Sequence, residues 1–263
     1  MHALILAAGC GSRLAEPTPK CLVEVGGRSL LSRQLEAVRE AGAERVSLVA
    51  GHCHRLVRAA VDEDVGVIRN LRYADTNSLY SFFLARRSVR GELLVLNCDV
   101  LFPQEVLSGL LECDGSALAF DSLSGGEAEH MKVSVEDGRL VEMSKQLPVE
   151  RSSGENLGLL RLTEGAAEAA FDAAGALLRR GGERDWLGAA INVVADRHPI
   201  ACVDVAGLPW VEIDYPDDLA AARTRIWPAI EALGRPSATS KAPARSGWRA
   251  GVPSIAAAEV AFG

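Results

Sequence analysis

Two glycines and three polar side chains lie close together after the first apolar run of the chain. Gly9 and Gly11 let backbone amides approach a ligand that no side chain blocks. Ser12, Arg13 and Lys20 add a hydroxyl group and two positive charges to the same short segment. Backbone amides and fixed cations are groups that bind phosphate oxygens. The segment therefore predicts a polyphosphate ligand.

This glycine loop differs from two common nucleotide-binding fingerprints. A dinucleotide fingerprint needs a third glycine where this chain has Leu14. A P-loop needs a Gly-Lys pair, and the sequence contains none. An ordinary strand-to-loop turn with unrelated basic residues stays an alternative, because glycines often follow a first strand. The other motifs of the chain must decide between that turn and a ligand site.

Three carboxylates form the second group of residues that could do chemistry. Asp99 follows an apolar segment at its carboxyl end, and Glu212 and Asp214 alternate with aliphatic residues. A period of two places Glu212 and Asp214 on one face of an extended segment. A lone aspartate at a strand end is more often a cap or a turn residue. Two such acidic sites beside a polyphosphate loop instead favour Mg²⁺, which binds a few carboxylates together with phosphate oxygens and water.

Short polar side chains also open a predicted helix at residues 77–87. Thr76, Asn77, Ser78 and Ser81 could contact a base edge or cap the helix, and the two roles are compatible. Lys145 lies on the second arm of a predicted hairpin. From its position alone it could be an ordinary exposed lysine.

The elements that must position these residues alternate between strand and helix in the first part of the chain. Since right-handed crossovers place the carboxyl ends of parallel strands at one edge, ligands of such sheets bind there. The pattern predicts a doubly wound α/β sheet with its site at that edge. The predicted strands are residues 3–8, 44–51, 65–68 and 93–96, and the predicted helices are residues 29–41, 53–61 and 77–87.

The pattern changes after about residue 115, where shorter segments predict antiparallel strands that extend the sheet. A turn signal at residues 136–139 predicts a hairpin. We expect one domain at residues 1–228 and a tail rich in Ala, Pro and Ser at residues 229–263. The later predicted strands are residues 117–120, 132–135, 140–143, 157–162 and 200–205, and the later predicted helices are residues 164–180, 186–195 and 216–226.

The glycine loop resembles the signature of the nucleotidyltransferases that join a nucleoside triphosphate to a sugar phosphate or to phosphocholine. The resemblance lies in Leu6-Ala-Ala-Gly-x-Gly-Ser-Arg-Leu and in Pro19-Lys20-Cys-Leu-Val-Glu-Val-Gly-Gly. It implies a Rossmann-like mixed sheet, the nucleotidyltransferase fold, with an antiparallel extension on the acceptor side. The segment between Leu14 and Pro19 is shorter than is usual in the family. The Asn-Ser-x-x-Ser variant at residues 77–81 is most similar to the phosphocholine and 2-aminoethylphosphonate cytidylyltransferase branch.

The resemblance also implies roles for individual residues. Arg13 would meet the β- and γ-phosphates, Lys20 and Lys145 would meet the α-phosphate and the acceptor phosphate, and Asp99 and Asp214 would hold Mg²⁺ as the cofactor. The implied nucleotide-binding residues are Leu6, Ala7, Ala8, Gly9, Gly11, Ser12, Arg13, Lys20, Thr76, Asn77, Ser78 and Ser81. The implied acceptor-binding residues are Asp99, Glu155, Trp186 and Glu212.

The implied reaction is Mg²⁺-dependent transfer of a nucleotidyl group, with CTP as the expected donor and phosphocholine or 2-aminoethylphosphonate as the expected acceptor. Choline-binding relatives carry an acid where this chain has Leu187-Gly188. A polyol or cyclitol phosphate would suit the same pocket. The alternatives are therefore a GTP- or UTP-using transferase for sugar or cyclitol 1-phosphates, and an inactive nucleotide-binding relative.

Composition limits the partners. The net charge of the 263 residues is −7 and no basic run is present, which argues against nucleic acid. The six cysteines are scattered without metal-type spacing, so we expect reduced thiols in a cytoplasmic protein. A first strand at the amino terminus and the lack of a long apolar run predict no signal peptide and no membrane partner. A homo-oligomer is left open.

Overall fold

A computed structural model describes residues 1–14, 16, 18–124, 126–127 and 129–234. Most of the predicted tail, residues 235–263, lies outside the described residues. The strands are β1 His2–Ala7, β2 Glu24–Val25, β3 Arg28–Ser29, β4 Arg45–Ala50, β5 Gly66–Arg69, β6 Leu93–Asn97, β7 Val100–Leu101, β8 Ser116–Asp121, β9 Lys132–Glu136, β10 Arg139–Ser144, β11 Gly154–Leu162, β12 Ile200–Asp204 and β13 Val211–Glu212. The helices are α1 Leu30–Glu40, α2 His54–Ala59, α3 Ser78–Leu84, α4 Gln104–Glu112, α5 Glu164–Leu178, α6 Leu187–Ala195, α7 Pro216–Ala221 and α8 Trp227–Leu233.

The central sheet has nine strands in the order β5-β4-β1-β6-β11-β8-β12-β10-β9. Its first four strands are parallel, and β1 lies between β4 and β6 with Leu6 opposite both Val49 and Asn97. These strands are the apolar segments of the alternating pattern, and the carboxyl ends of β1, β4 and β6 meet at one edge. The predicted doubly wound half is confirmed.

The remaining strands form the antiparallel extension. Strand β11 is antiparallel to both β6 and β8, and it also pairs with β9. Strands β9 and β10 form the predicted hairpin, in which Asp137 and Gly138 adopt the positive φ values of the turn. The prediction of a mixed sheet with an antiparallel extension is confirmed.

Apolar side chains cover both faces of the sheet. On one face, α3 and α5 pack together through the stacked rings of Phe82 and Phe171, whose centroids are 4.3 Å apart. On the other face, Leu31 of α1 and Leu107 of α4 pack against the same strands. Because both faces are covered, β1 and β6 can be almost wholly apolar.

Two parts of the fold differ from the prediction. Helix α4 was not predicted. The last helix was expected to end at residue 226, but it continues through a π-helical turn, Ala222–Ile226, into α8. Pro228 is tolerated because it lies in the first turn of α8, where a backbone donor is not needed. Residues 229–233, predicted as tail, therefore belong to a helix.

Packing explains why the helix continues. The ring of Trp227 packs on Gly26, where a Cβ atom would lie 2.1 Å from the indole nitrogen. The guanidinium of Arg33 lies 3.4 Å from the centroid of the same ring.

In the part of the chain that the structure describes, no helix has the length and apolar character needed to cross a membrane.

Candidate active site

A cleft of about 350 Å³ opens at the carboxyl edge of the parallel strands. Its walls come from the glycine loop after β1, the start of α3, the end of β6, the hairpin strand β10, strand β11 and helix α6. Every residue predicted to bind nucleotide lines this cleft, namely Leu6, Ala7, Ala8, Gly9, Gly11, Ser12, Arg13, Lys20, Thr76, Asn77, Ser78 and Ser81. The fold thus brings together segments that are far apart in the sequence.

The glycine loop allows the Lys20 segment to approach β1. Gly11 has a φ of +61°, and a Cβ atom there would lie 3.1 Å from the Cβ of Lys20. A Cβ atom on Gly9 would meet no neighbour within 4 Å, so the loop leaves open space at that point. A larger residue at position 11 would be strained and would crowd the lysine.

The start of α3 is held by its own polar side chains. The side chain of Asn77 caps the helix by accepting a hydrogen bond from the amide of Ser78 at 2.8 Å. The hydroxyl of Ser78 accepts from the amide of Leu187 at 2.8 Å, and Asn70 donates to Ser81 at 3.1 Å. The capping alternative is therefore present in the structure, while the same residues also line the cleft.

Three carboxylates converge in the cleft. Strand β13 pairs with β7, and the amide of Ile213 donates to the carbonyl of Asp99 at 2.9 Å. One oxygen from each of Asp99, Glu212 and Asp214 lies within 4.8 Å of the others. Ile213 points the other way and is fully buried. The alternation in the sequence thus predicted correctly that Glu212 and Asp214 share a face.

These residues, which we name the acidic cluster (Asp99, Glu212 and Asp214), fit a divalent cation. Carboxylate oxygens are the ligands that Mg²⁺ prefers. Oδ1 of Asp99 is also buried and accepts no hydrogen bond from the described residues. A buried acceptor without a donor is costly, and a bound cation would satisfy it.

The two cations of the loop are paired with the acidic cluster. Nζ of Lys20 lies 2.8 Å from Oδ2 of Asp99 and also donates to Oδ1 of Asp214. Nη2 of Arg13 lies 2.6 Å from Oδ2 of Asp214, and Nη1 donates to the hydroxyl of Tyr215 at 3.1 Å. The groups predicted to hold phosphate therefore bind the groups predicted to hold metal.

Charge and burial shift two pKa values in the cluster. Burial, together with the charges of Asp99 and Asp214, raises the pKa of Glu212 to about 8. Burial on its own lowers the pKa of Lys20, but the charges of Asp99 and Asp214 outweigh it and raise that pKa above its ordinary value. Glu212 therefore carries a proton at neutral pH, and Lys20 stays charged.

The acceptor side of the cleft is built around a lysine and a tryptophan. Nζ of Lys145 lies 4.5 Å from the ring centroid of Trp186, which is 43% exposed. Lys132, itself buried, donates to the carbonyl of Lys145 at 2.7 Å. The side chain of Asn192 on α6 bonds both the amide and the carbonyl of Met143 on β10. These contacts hold the two walls of the acceptor side together.

One predicted acceptor residue does not reach the cleft. Glu155 is buried, accepts a hydrogen bond from Ser124 and lies 3.1 Å from Nδ1 of His130. Because adjacent residues of a strand face opposite sides, Asn156 lines the cleft instead. The other predicted acceptor residues, Asp99, Trp186 and Glu212, do line it, as does Lys145.

Several cleft residues were not predicted. Asn97 and Gly158 line the cleft together, and a Cβ atom on Gly158 would lie 2.4 Å from Nδ2 of Asn97. Asn70 follows β5 and is buried. Polar residues at the carboxyl ends of parallel strands were the available signal for both asparagines.

Known proteins resemble this chain over most of its length. The family model described as the MobA-like NTP transferase domain matches residues 3–239. A bifunctional IPC transferase and DIPP synthase of Rubrobacter xylanophilus is 33% identical over 232 residues, which cover 82% of this chain and 50% of the relative. A CMP-5'-(3-aminopropyl)phosphonate synthase of Streptomyces rubellomurinus is 31% identical over 250 residues, which cover 88% of this chain and 40% of the relative.

The chain therefore spans about half the length, or less, of these curated relatives. Among solved structures, the inositol-1-phosphate CTP transferase from T. maritima superposes with a TM-score of 0.72 at 22% identity. The superposition covers 88% of this chain and 95% of that one. At this identity the likeness concerns the fold, and it agrees with the mixed sheet described above.

Proposed function

The chain belongs to the MobA-like NTP transferase domain family, and on that premise we propose that it transfers a cytidylyl group from CTP to the phosphate of a small acceptor. Family membership confirms the nucleotidyltransferase predicted from the glycine loop. One observation carries the proposal: a single cleft joins the glycine loop, three cations and three carboxylates. That combination suits a triphosphate with a divalent metal ion.

The reaction forms one bond and breaks one. An oxygen of the acceptor phosphate attacks the α-phosphorus of CTP, and the bond from that phosphorus to the β-phosphate oxygen breaks, so that pyrophosphate leaves. No protein nucleophile is required. The residues contribute by positioning the two phosphates and by neutralising their charge.

We assign each charged residue a role from the family resemblance, and the position of each in the cleft supports that role. Arg13, at the loop, binds the β- and γ-phosphates, and Lys20 binds the α-phosphate. Lys145, on the opposite wall, binds the acceptor phosphate. The acidic cluster holds Mg²⁺, which when bound supplies positive charge beside the phosphate oxygens.

We extend the proposal to a cyclitol phosphate, such as inositol 1-phosphate, as the acceptor. Among the described residues, the only acids lining the cleft are those of the acidic cluster. The face of Trp186 is in contact with Lys145. A cationic head group at Trp186 would therefore meet the charge of Lys145, and the carboxylates of the cleft are those proposed to hold the metal ion. Asn97 and Asn156 offer amides that suit hydroxyl groups.

An aminoalkylphosphonate is the second candidate. The 3-aminopropylphosphonate relative, at 31% identity, supports it. Its ammonium group would have to find a counter-charge in the acidic cluster, which the metal ion would already occupy. Phosphocholine, the acceptor predicted first from the sequence, meets the same difficulty.

A pyrophosphate-release assay tests the donor and the acceptor together. CTP, GTP, UTP and ATP are each combined with inositol 1-phosphate, 2-aminoethylphosphonate, phosphocholine and glucose 1-phosphate at fixed Mg²⁺. We expect release with CTP and inositol 1-phosphate, and none without an acceptor. Faster release with either nitrogen-containing acceptor would overturn the cyclitol proposal. If no pair released pyrophosphate although calorimetry detected CTP binding, the protein would be an inactive relative.

The variant Asn156→Asp tests the head-group argument separately. It places a carboxylate in the acceptor side at nearly constant volume. We expect kcat/KM for inositol 1-phosphate to fall and that for 2-aminoethylphosphonate to rise, with a combined change of about tenfold or more. The KM for CTP, measured in parallel, should stay unchanged because the substitution lies on the acceptor wall.

A further inference from the structure

The pairing of Lys20 with the acidic cluster has a consequence for metal binding. The ammonium of Lys20 contacts Asp99 and Asp214 at once, and its side chain is only 11% exposed. Arg13 contacts the other oxygen of Asp214. Two fixed positive charges thus already neutralise two carboxylates of the cluster.

A divalent cation and the Lys20 ammonium would compete for the same oxygens. Asp99 and Asp214 are two of the three carboxylates that a cation could use, and each has an oxygen bonded to Lys20. Like charges within a few ångströms repel strongly in a half-buried site, where water screens them poorly. A metal ion can therefore enter only when Lys20 has moved.

We propose that Lys20 and Arg13 block the metal site in the nucleotide-free protein, and that a triphosphate opens it by drawing both cations onto its phosphate oxygens. The inference rests on the proposed function, because it requires a triphosphate in the cleft. Metal and nucleotide then bind cooperatively, and each raises the affinity for the other by the same factor.

The side chains of Lys20 and Arg13 can move more easily than the carboxylates they contact. The four-carbon stem of Lys20 allows its ammonium to shift without backbone movement, and the side chain of Arg13 is 45% exposed. In contrast, the backbone amides of Asp214 and Tyr215 both donate to Asp218, at 2.9 and 2.7 Å. The carboxylate wall therefore stays in place while the cations leave.

The free oxygen of Asp99 supports the same order of events. Oδ1 of Asp99 is buried and has no donor among the described residues, although Oδ2 is bonded to Lys20. Once Lys20 leaves, both oxygens of Asp99 become available on the side of the cleft that the triphosphate occupies. The same residue thus passes from an ion pair to a metal ligand.

Mn²⁺ binding to the full chain without nucleotide tests the proposal directly. Electron paramagnetic resonance counts the free Mn²⁺, which substitutes for Mg²⁺ at oxygen sites. We expect weak binding by the wild type and binding at least about tenfold tighter by Lys20→Met, because the blocking charge is gone. Lys145→Met is the matched control: it removes a lysine from the same cleft without touching the cluster, and it should leave Mn²⁺ affinity unchanged.

Three further variants locate the effect. Lys20→Arg keeps the charge and should keep Mn²⁺ binding weak. Combining Lys20→Met with Asp99→Asn should remove the gain. Arg13→Gln, at a more exposed position, should tighten Mn²⁺ binding about threefold even if Lys20→Met does not fold. Unchanged or weaker Mn²⁺ binding by folded Lys20→Met, or by Arg13→Gln in its place, would overturn the proposal.

The outcomes separate this inference from the proposed function. Pyrophosphate release by the wild type, with no change of Mn²⁺ affinity in Lys20→Met, would refute the blocking role alone. Tighter Mn²⁺ binding in Lys20→Met, with no pyrophosphate release from any substrate pair by the wild type, would refute the transferase and leave Lys20 as a charge that excludes metal.

Discussion

Replacing Glu212 with glutamine should stabilise the metal-free protein in a pH-dependent way. Burial and the carboxylates of Asp99 and Asp214 raise the pKa of Glu212 from 4.5 to about 8. Between these two values the folded protein keeps a proton that the unfolded chain releases. Unfolding therefore releases a proton, and the stability of the wild type falls as the pH rises through this range. Glutamine has no titrating proton, so the stability of the variant does not fall with pH for this reason.

The size of the effect follows from the shift. One pKa unit corresponds to about 1.4 kcal/mol, so the raised pKa costs the wild type at most about 3 kcal/mol at pH 7. Partial exposure and local relaxation reduce this cost. We expect the advantage of Glu212→Gln to grow by about 2 kcal/mol between pH 5 and pH 7 and to level off above pH 8.

Urea unfolding in the presence of EDTA, at half-unit steps from pH 5 to pH 8.5, measures this difference. Comparing two proteins at each pH cancels the contribution of the titrating groups that do not interact with Glu212. Glu136→Gln, an exposed glutamate on the β9–β10 hairpin, is the control and should follow the wild type. A constant difference between wild type and Glu212→Gln across the range would refute the assignment of the proton to Glu212. So would a variant less stable than the wild type at pH 7.

Three other changes have expected outcomes. Asp99→Asn should lower the rate of pyrophosphate release by about a hundredfold or more, because it removes a metal ligand; near-normal turnover at saturating Mg²⁺ would contradict this. Gly158→Ala should lower the free energy of unfolding in urea by about 2 kcal/mol more than Gly207→Ala does. Both glycines have positive φ, but only Gly158 lies against a neighbouring side chain. Equal losses of stability would contradict the clash. Lys132→Met should raise the KM for the acceptor several-fold and leave the KM for CTP unchanged, because Lys132 donates a hydrogen bond to the backbone of Lys145. Equal changes in both KM values would contradict a role confined to the acceptor side.

Local sequence was enough to predict the parts of the site that depend on one segment. The glycine loop needs small residues wherever the chain folds, because Gly11 takes a backbone conformation that side chains disfavour. Glu212 and Asp214 share a face because a period of two requires it. The strand ends meet at one edge because the strands run parallel. Each of these rules acts without knowledge of distant contacts.

The errors arise where distant contacts decide. Glu155 and Asn156 are neighbours on one strand, and only pairing with β8 and β9 determines which of them faces the cleft. That strand also carries a register irregularity after Asn156, so its alternation cannot be extrapolated from one end. The end of the last helix was misjudged for a similar reason, since Trp227 gains a packing partner in Gly26 that local rules about proline ignore.

The pairing of Lys20 with the acidic cluster likewise could not be predicted from local sequence. Lys20 is separated by 79 residues from Asp99 and by 194 residues from Asp214. Lys20 was assigned to a phosphate and both aspartates to Mg²⁺, so a direct contact between them was not predicted. They do so because a lysine and two carboxylates in a half-buried cleft attract one another strongly.

A small buried apolar cluster fixes the position of the glycine loop relative to the acidic cluster. Leu14 of the glycine loop, Ile213 between the two acidic residues, and Leu219 of α7 pack together in one apolar cluster. The side chain that alternation turns away from the cleft is thus the one that fixes the position of its acidic neighbours. The last helices must therefore support the site, although no residue of α7 or α8 lines the cleft. Any change that loosens this packing should alter the distance between cations and carboxylates, and with it the competition between Lys20 and a metal ion.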